Sequence, residues 1–177
     1  MTELLLVRGS VIEQDVEAIV NAASIGMRGG GGLDGAIHHA AGPSLLEELR
    51  EKVPSGAPTG SVVVTSGHAT GFKAILHTPG PVWKGGSRGE PDALAACYRN
   101  CLTAAHDLRI ASLAVPSLST GIYGYPLERA APLAVKTVQD WILANEETSL
   151  EKIIFAMFGG EEYAQFKKVL KTSWSAA

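Results

Sequence analysis

The 177-residue sequence predicts one α/β domain whose largely parallel sheet is covered by helices on both faces. Three observations lead there. Apolar runs of strand length alternate with longer stretches of helical period, as expected when buried strands are joined by crossover helices. At 46% hydrophobic residues the chain can fill one core and is short for two, and no internal repeat divides it.

Taken in order, Leu4 to Val7 reads as a first strand and Ala18-Ile19-Val20-Asn21 as a second. A glycine run follows. A helix then begins near Leu33, pauses at Gly42-Pro43 and resumes toward Lys52, because glycine ends a helix readily and proline fits a first turn. Pro54 to Pro58 is a loop. Val62 to Thr65 and Ala74 to His77 are two further strands, separated at Thr70-Gly71, and Pro79-Gly80-Pro81 ends the second. A helix from about Pro91 to Leu108 leads into the strand Leu113 to Val115, and another spans Leu127 to about Asn145. The chain closes with a strand from Lys152 to Phe158, a Gly159-Gly160 turn, and a helix from Glu161 to about Lys171.

Composition excludes several classes. With a net charge of −3 and no Lys or Arg run, the electrostatic attraction that drives phosphate-backbone binding is missing, which disfavours nucleic acid as a general partner. The start carries Glu3 where a secretion signal needs positive charge, and no apolar run approaches the roughly 20 residues of a membrane span. A soluble cytoplasmic protein without a membrane partner is expected. Cys97 and Cys101 share a helical face and read as buried, reduced thiols, while the histidines show no metal-ligand spacing. No metal or cofactor is expected.

Ligands of open α/β sheets bind beyond the carboxyl ends of strands, where loops enter helix N-termini and amides lack partners. Two segments occupy such places. Asn21 to Gly35 joins a strand to a helix and holds Gly29-Gly30-Gly31-Gly32, which lets the backbone approach an anion and turn adjacent amides toward it; the alternative is a plain flexible linker. Pro116 to Pro126 offers hydroxyls and two glycines in an equivalent position, although a structured turn uses the same residues. Two such loops on one sheet edge point to a diphosphate. Neither has the Lys-Ser/Thr ending of a P-loop or a G-x-G-x-x-G helix start, so kinase and dehydrogenase readings fall.

Val20-Asn21-Ala22-Ala23, Gly29 to Gly32, Leu33-Asp34-Gly35-Ala36-Ile37-His38 and Ser119-Thr120-Gly121-Ile122-Tyr123-Gly124-Tyr125-Pro126 together resemble the macro domain. The similarity extends to His77-Thr78-Pro79-Gly80-Pro81-Val82-Trp83 and leans toward the MacroD-type branch. The resemblance implies one macro domain over residues 1–177, built as a three-layer α/β/α sandwich around a mixed, mostly parallel six-stranded sheet. It implies ADP-ribose and mono-ADP-ribosylated proteins as partners. It further implies hydrolysis of mono-ADP-ribosyl esters on acidic side chains, with O-acetyl-ADP-ribose deacetylation as a related activity. The alternative is a noncatalytic reader module, and a general nucleotide-diphosphate or RNA-end binder ranks last.

Asp34, Asn21 and His38 are the catalytic candidates; residue by residue, the resemblance places Asn21 and Asp34 at the distal ribose with Ser24 nearby, and counts Ala23 among the ligand-binding positions. Gly31, Gly32 and Leu33 take one side of the phosphates, and Ser119, Thr120, Gly121, Ile122 and Tyr123 the other. Ser10, Val11 and Phe158 fall at the adenine. Two positions depart from the family pattern. Gly9-Ser10-Val11 stands where Gly-Asp-Ile is usual, offering a neutral hydroxyl in place of a charged acceptor about twice as strong, and Ser24 replaces a second Asn.

Asp34 lies inside an anion-binding segment, where its charge would repel an adjacent phosphate, so it should face something else. It is read as activating a water or polarising a ribose hydroxyl, against the alternative of a helix cap worth about 1 kcal/mol. His38, one helical turn on, either supports Asp34 or is a satisfied, partly buried side chain. Phe158 either stacks on the base or packs in the core beside Phe155.

Overall fold

The computed structural model describes residues 1–174. Six strands form, β1 (Glu3–Arg8), β2 (Ala18–Ala23), β3 (Val63–Thr65), β4 (Ala74–Pro79), β5 (Ser112–Val115) and β6 (Lys152–Met157). Between and after them run α1 (Gly32–Ala41), α2 (Pro43–Lys52), α3 (Glu90–Asp107), α4 (Leu127–Ala144) and α5 (Gly160–Trp174). All the strands join one sheet in the order β1-β6-β5-β2-β4-β3. Only β3 with β4 is antiparallel, so the sheet is mixed and mostly parallel as expected.

Strand alternation divides the interior into two layers. From β2, Ala18 and Val20 join the core packed by α3, α4 and α5, whereas Ile19 and Ala23 join the one packed by α1 and α2. β6 splits likewise, with Ile153, Phe155 and Met157 on the first side and Ile154 and Ala156 on the second. Phe155 anchors the larger layer, its ring centroid 5.2 Å from that of Phe166 and 6.5 Å from that of Tyr98. Truncating so fully buried a ring would cost about 3–5 kcal/mol. The α1–α2 break falls where expected, with Gly42 at φ 81° and Pro43 opening the next helix.

Three local differences from the sequence expectation have physical reasons. A short 3₁₀ turn, Val11–Glu13, follows β1, because the Ser10 hydroxyl accepts from the Ile12 amide at 3.4 Å and caps it. β3 has three residues instead of four and lies at the sheet edge, where the Lys52 ammonium donates to the Val64 carbonyl at 2.8 Å and blunts further pairing. β6 ends at Met157, one residue early, so Phe158 leaves the sheet and is 78% exposed. That excludes the core placement for this ring.

Cys97 and Cys101 are unbridged and buried on α3, and burial pushes both thiols up. Among the described residues no helix is long and apolar enough to cross a membrane.

Candidate functional site

The carboxyl ends of β1, β2, β4, β5 and β6 open on one cavity of about 660 Å³. The loop after β2 forms one wall. It is held from behind by the Arg28 guanidinium, which donates to the Val53 and Pro54 carbonyls at 3.2 and 2.9 Å, and by the Ala57 amide on the Ile25 carbonyl at 2.8 Å. Buried Met27 plugs the underside, so this segment is a shaped loop and the linker alternative falls. Of its four successive glycines, Gly29 and Gly32 adopt positive φ, 86° and 56°. None of the amides from Gly29 to Leu33 donates to another group among the described residues. They sit at the N-terminus of α1, whose dipole favours an anion.

The loop after β5 forms the facing wall. The Leu118 amide donates to the Tyr98 hydroxyl at 2.9 Å, the Tyr125 amide to the Ser119 carbonyl at 2.9 Å, and the Trp83 amide to the Tyr123 carbonyl at 2.8 Å. The last two bonds engage the Ser119 and Tyr123 carbonyls, whereas the amides from Ser119 to Tyr123 have no acceptor among the described residues. Two residues of this loop are left-handed, Gly124 at φ 71° and Ser119 at φ 65°, while Gly121 is not. A non-glycine residue there carries strain of about 1–3 kcal/mol, of a kind that clusters at ligand clamps. The Ser119 hydroxyl is buried and has no partner among the described residues.

The cavity wall includes Ser10, Val11, Ala23, Ser24, Gly31, Gly32, Leu33 and Asp34 from the first half of the chain. From the second half come Ser119, Thr120, Gly121, Ile122, Tyr123 and Phe158. Asn21 and His38 are not on it. Asn21 is 0% exposed and stands behind Asp34, to whose Oδ1 its Nδ2 donates at 2.7 Å. Asn21 thus meets the cavity through its bond to Asp34, because strand alternation on β2 turns its side chain toward α1. His38 Nε2 lies 3.5 Å from the same Asp34 oxygen, one helical turn along α1. Asp34 itself is 7% exposed, with Oδ1 engaged and Oδ2 beside Gly30.

Gly80 and Ser117, which lie in segments the sequence had marked, also line the wall, as do Ala156 and Glu162, which carry no sequence signal. His77 and Thr65, buried beneath Asn21, were legible only as strand residues. Burial, then repulsion from His38, holds the His77 imidazole down to about 3. It is neutral at physiological pH. Among the described residues no three His, Cys, Asp or Glu side chains gather as metal ligands would.

A mixed α/β/α sandwich with an amide-lined cavity at the carboxyl edge of its sheet defines the class of anion-binding α/β domains. Within that class the chain belongs to the macro domain family, whose model, Macro domain, matches residues 20–134. It is 40% identical over 171 residues to the O-acetyl-ADP-ribose deacetylase of Salmonella newport, covering 96% of this chain and 94% of that protein. The structure of the Oceanobacillus iheyensis macrodomain with ADP superposes with a TM-score of 0.89 at 37% identity, covering 97% of this chain and 92% of that one. The Trypanosoma brucei macrodomain in complex with ADP-ribose gives a TM-score of 0.85 at 38% identity, covering 94% and 68%.

Proposed function

We propose that the chain binds ADP-ribose and hydrolyses ADP-ribosyl esters, both those on acidic side chains and O-acetyl-ADP-ribose, as a MacroD-type enzyme. The observation that carries this reading is the pair of facing loops whose amides have no acceptor, with Asp34 at one end of the cavity and Phe158 at the other. Each loop takes one phosphate of the diphosphate, and the α1 N-terminus adds its dipole. The exposed Phe158 ring stacks on the base. Ser10 and the Glu162 carboxylate offer acceptors to an exocyclic amine there.

The distal ribose then reaches Asp34. Its Oδ1 is tied to Asn21, so Oδ2 is the oxygen left to accept a proton from a water or a ribose hydroxyl. That water attacks the ester carbonyl or the anomeric carbon, the attacked carbon's bond to the ester oxygen breaks, and Asp34 returns its proton to the departing oxygen, leaving ADP-ribose and the free carboxylic acid. Ser24 favours a second reading, a reader that binds without turnover, because its short side chain on the cavity wall holds a ribose less firmly than an amide would.

Calorimetric titration with ADP-ribose, AMP and ATP, followed by release assays on Glu-, Asp- and Ser-linked ADP-ribose and on O-acetyl-ADP-ribose, tests both. Preference for ADP-ribose with turnover of an ester supports the enzyme. Tight binding with no release from any linkage leaves the reader, and equal affinity for all three nucleotides removes both.

A further inference from the structure

β2 and β4 run parallel with Asn21 directly beside His77, and strand alternation turns both side chains toward α1. Three buried side chains then form a line. Asn21 Nδ2 lies 3.0 Å from His77 Nδ1, and His77 Nε2 lies 2.9 Å from Thr65 Oγ1. The Thr65 hydroxyl donates onward to the Ser66 carbonyl at 3.0 Å, so its oxygen is free to accept from His77. Asn21, Thr65 and His77 are each at most 1% exposed, and among the described residues no polar group outside this line is within reach of the imidazole nitrogens.

We infer that Thr65 and His77 are positioning residues that set which way the Asn21 amide faces and, through it, which Asp34 oxygen is left for the substrate. The directions follow from donor and acceptor chemistry. The Ser66 carbonyl can only accept, so Thr65 donates to it and accepts from His77 Nε2–H. A neutral imidazole protonated at Nε2 is bare at Nδ1, which must then receive a hydrogen from Asn21 Nδ2. The second hydrogen on that nitrogen goes to Asp34 Oδ1. Reversing the amide would set its oxygen against a carboxylate on one side and a bare nitrogen on the other. The orientation is held even though it leaves Asn21 Oδ1 buried without a partner. Asp34 Oδ1 is thereby occupied from beneath, and Oδ2 stays available.

The kinetic part of this inference rests on the proposed hydrolase reading, whereas the proton placement does not. Thr65→Val keeps the shape and removes the acceptor that selects the Nε2–H form. His77→Asn keeps an acceptor near the Nδ1 position, and His77→Phe removes it. The imidazole nitrogens of labelled protein, read by ¹⁵N NMR and assigned by their loss in His77→Asn, are expected to show His77 protonated at Nε2 and bare at Nδ1. Thr65→Val is expected to shift that proton toward Nδ1.

Turnover of the ester substrate by Thr65→Val should fall by about ten- to a hundred-fold in kcat, with KM held within about two-fold. His77→Asn should retain more kcat than His77→Phe. A wild-type imidazole protonated at Nδ1, or a Thr65→Val variant with unchanged kcat, overturns the inference, and so does equal loss in the two His77 variants. If the wild-type protein releases nothing from any linkage, the hydrolase reading fails while the NMR result still decides the relay.

Discussion

Gly80 and Ser119 meet across the floor of the cavity, so closely that a Cβ at position 80 would overlap the Ser119 hydroxyl oxygen. The contact locks the end of β4 against the loop after β5, and it explains a glycine whose backbone is not left-handed. Gly80→Ala should push Ser119 aside, weakening ADP-ribose binding by about ten-fold, or about 1.4 kcal/mol. Calorimetry on a variant that still melts cooperatively checks this, and unchanged affinity would mean that Ser119 contributes nothing to the anion site.

Asp34→Ala should abolish release of ADP-ribose from a modified acidic side chain while binding remains detectable. It also strips a partner from the buried Asn21 nitrogen, so a loss of about 1–3 kcal/mol in stability is expected. Asp34→Asn separates the two effects, since it retains an oxygen at the site. Release assays beside thermal melts make the comparison, and full turnover by either variant removes Asp34 from the chemistry.

Phe158→Ala removes a ring that is 78% exposed, so the melting temperature should hardly move. Base stacking is worth about 1–3 kcal/mol, and affinity for ADP-ribose should drop by about ten-fold or more. The same variant should lose little affinity for ribose 5-phosphate. A comparable loss for both ligands would place the ring away from the base.

Glu90 opens α3 and is buried, and its carboxylate accepts from the Lys84, Gly86 and Arg88 amides at 2.9, 2.8 and 2.6 Å. Burial opposes ionisation, but these amides outweigh it and bring the group from 4.5 down to about 2. A carboxylate lowered in the folded state contributes stability that is complete above its ordinary value and is lost as pH falls through the folded one. The contribution should therefore be full above pH 4.5 and fade toward about pH 2. Melting curves of wild type and Glu90→Gln should differ most above that window and converge at its acid end. Parallel curves across the whole range would contradict this account.

Much of the architecture was legible because burial on both faces leaves continuous apolar runs such as Ile153 to Met157. The antiparallel direction of the β3–β4 pair was not readable from the residues themselves, since three residues carry no periodicity and only the family resemblance implied a mixed sheet. The site divides in the same way. Glycines and hydroxyls marked both cavity loops, yet the loop after β5 is left-handed at Ser119 as well as at Gly124, and nothing in the composition singles out a serine for that conformation. The contact of His77 with Asn21 was not legible, because it arises from register between strands far apart in the chain. Phe158 stayed ambiguous until the end of β6 was known, one residue deciding between interior and rim.

One helix both begins at the glycine loop and carries Asp34 in its opening turn. On the proposed reading, grip and reaction would share a single rigid part, and neither could be tuned without moving the other. A ligand shorn of one phosphoryl group would lose its alignment along with its hold, and the penalty would surface in the speed of the reaction as well as in occupancy.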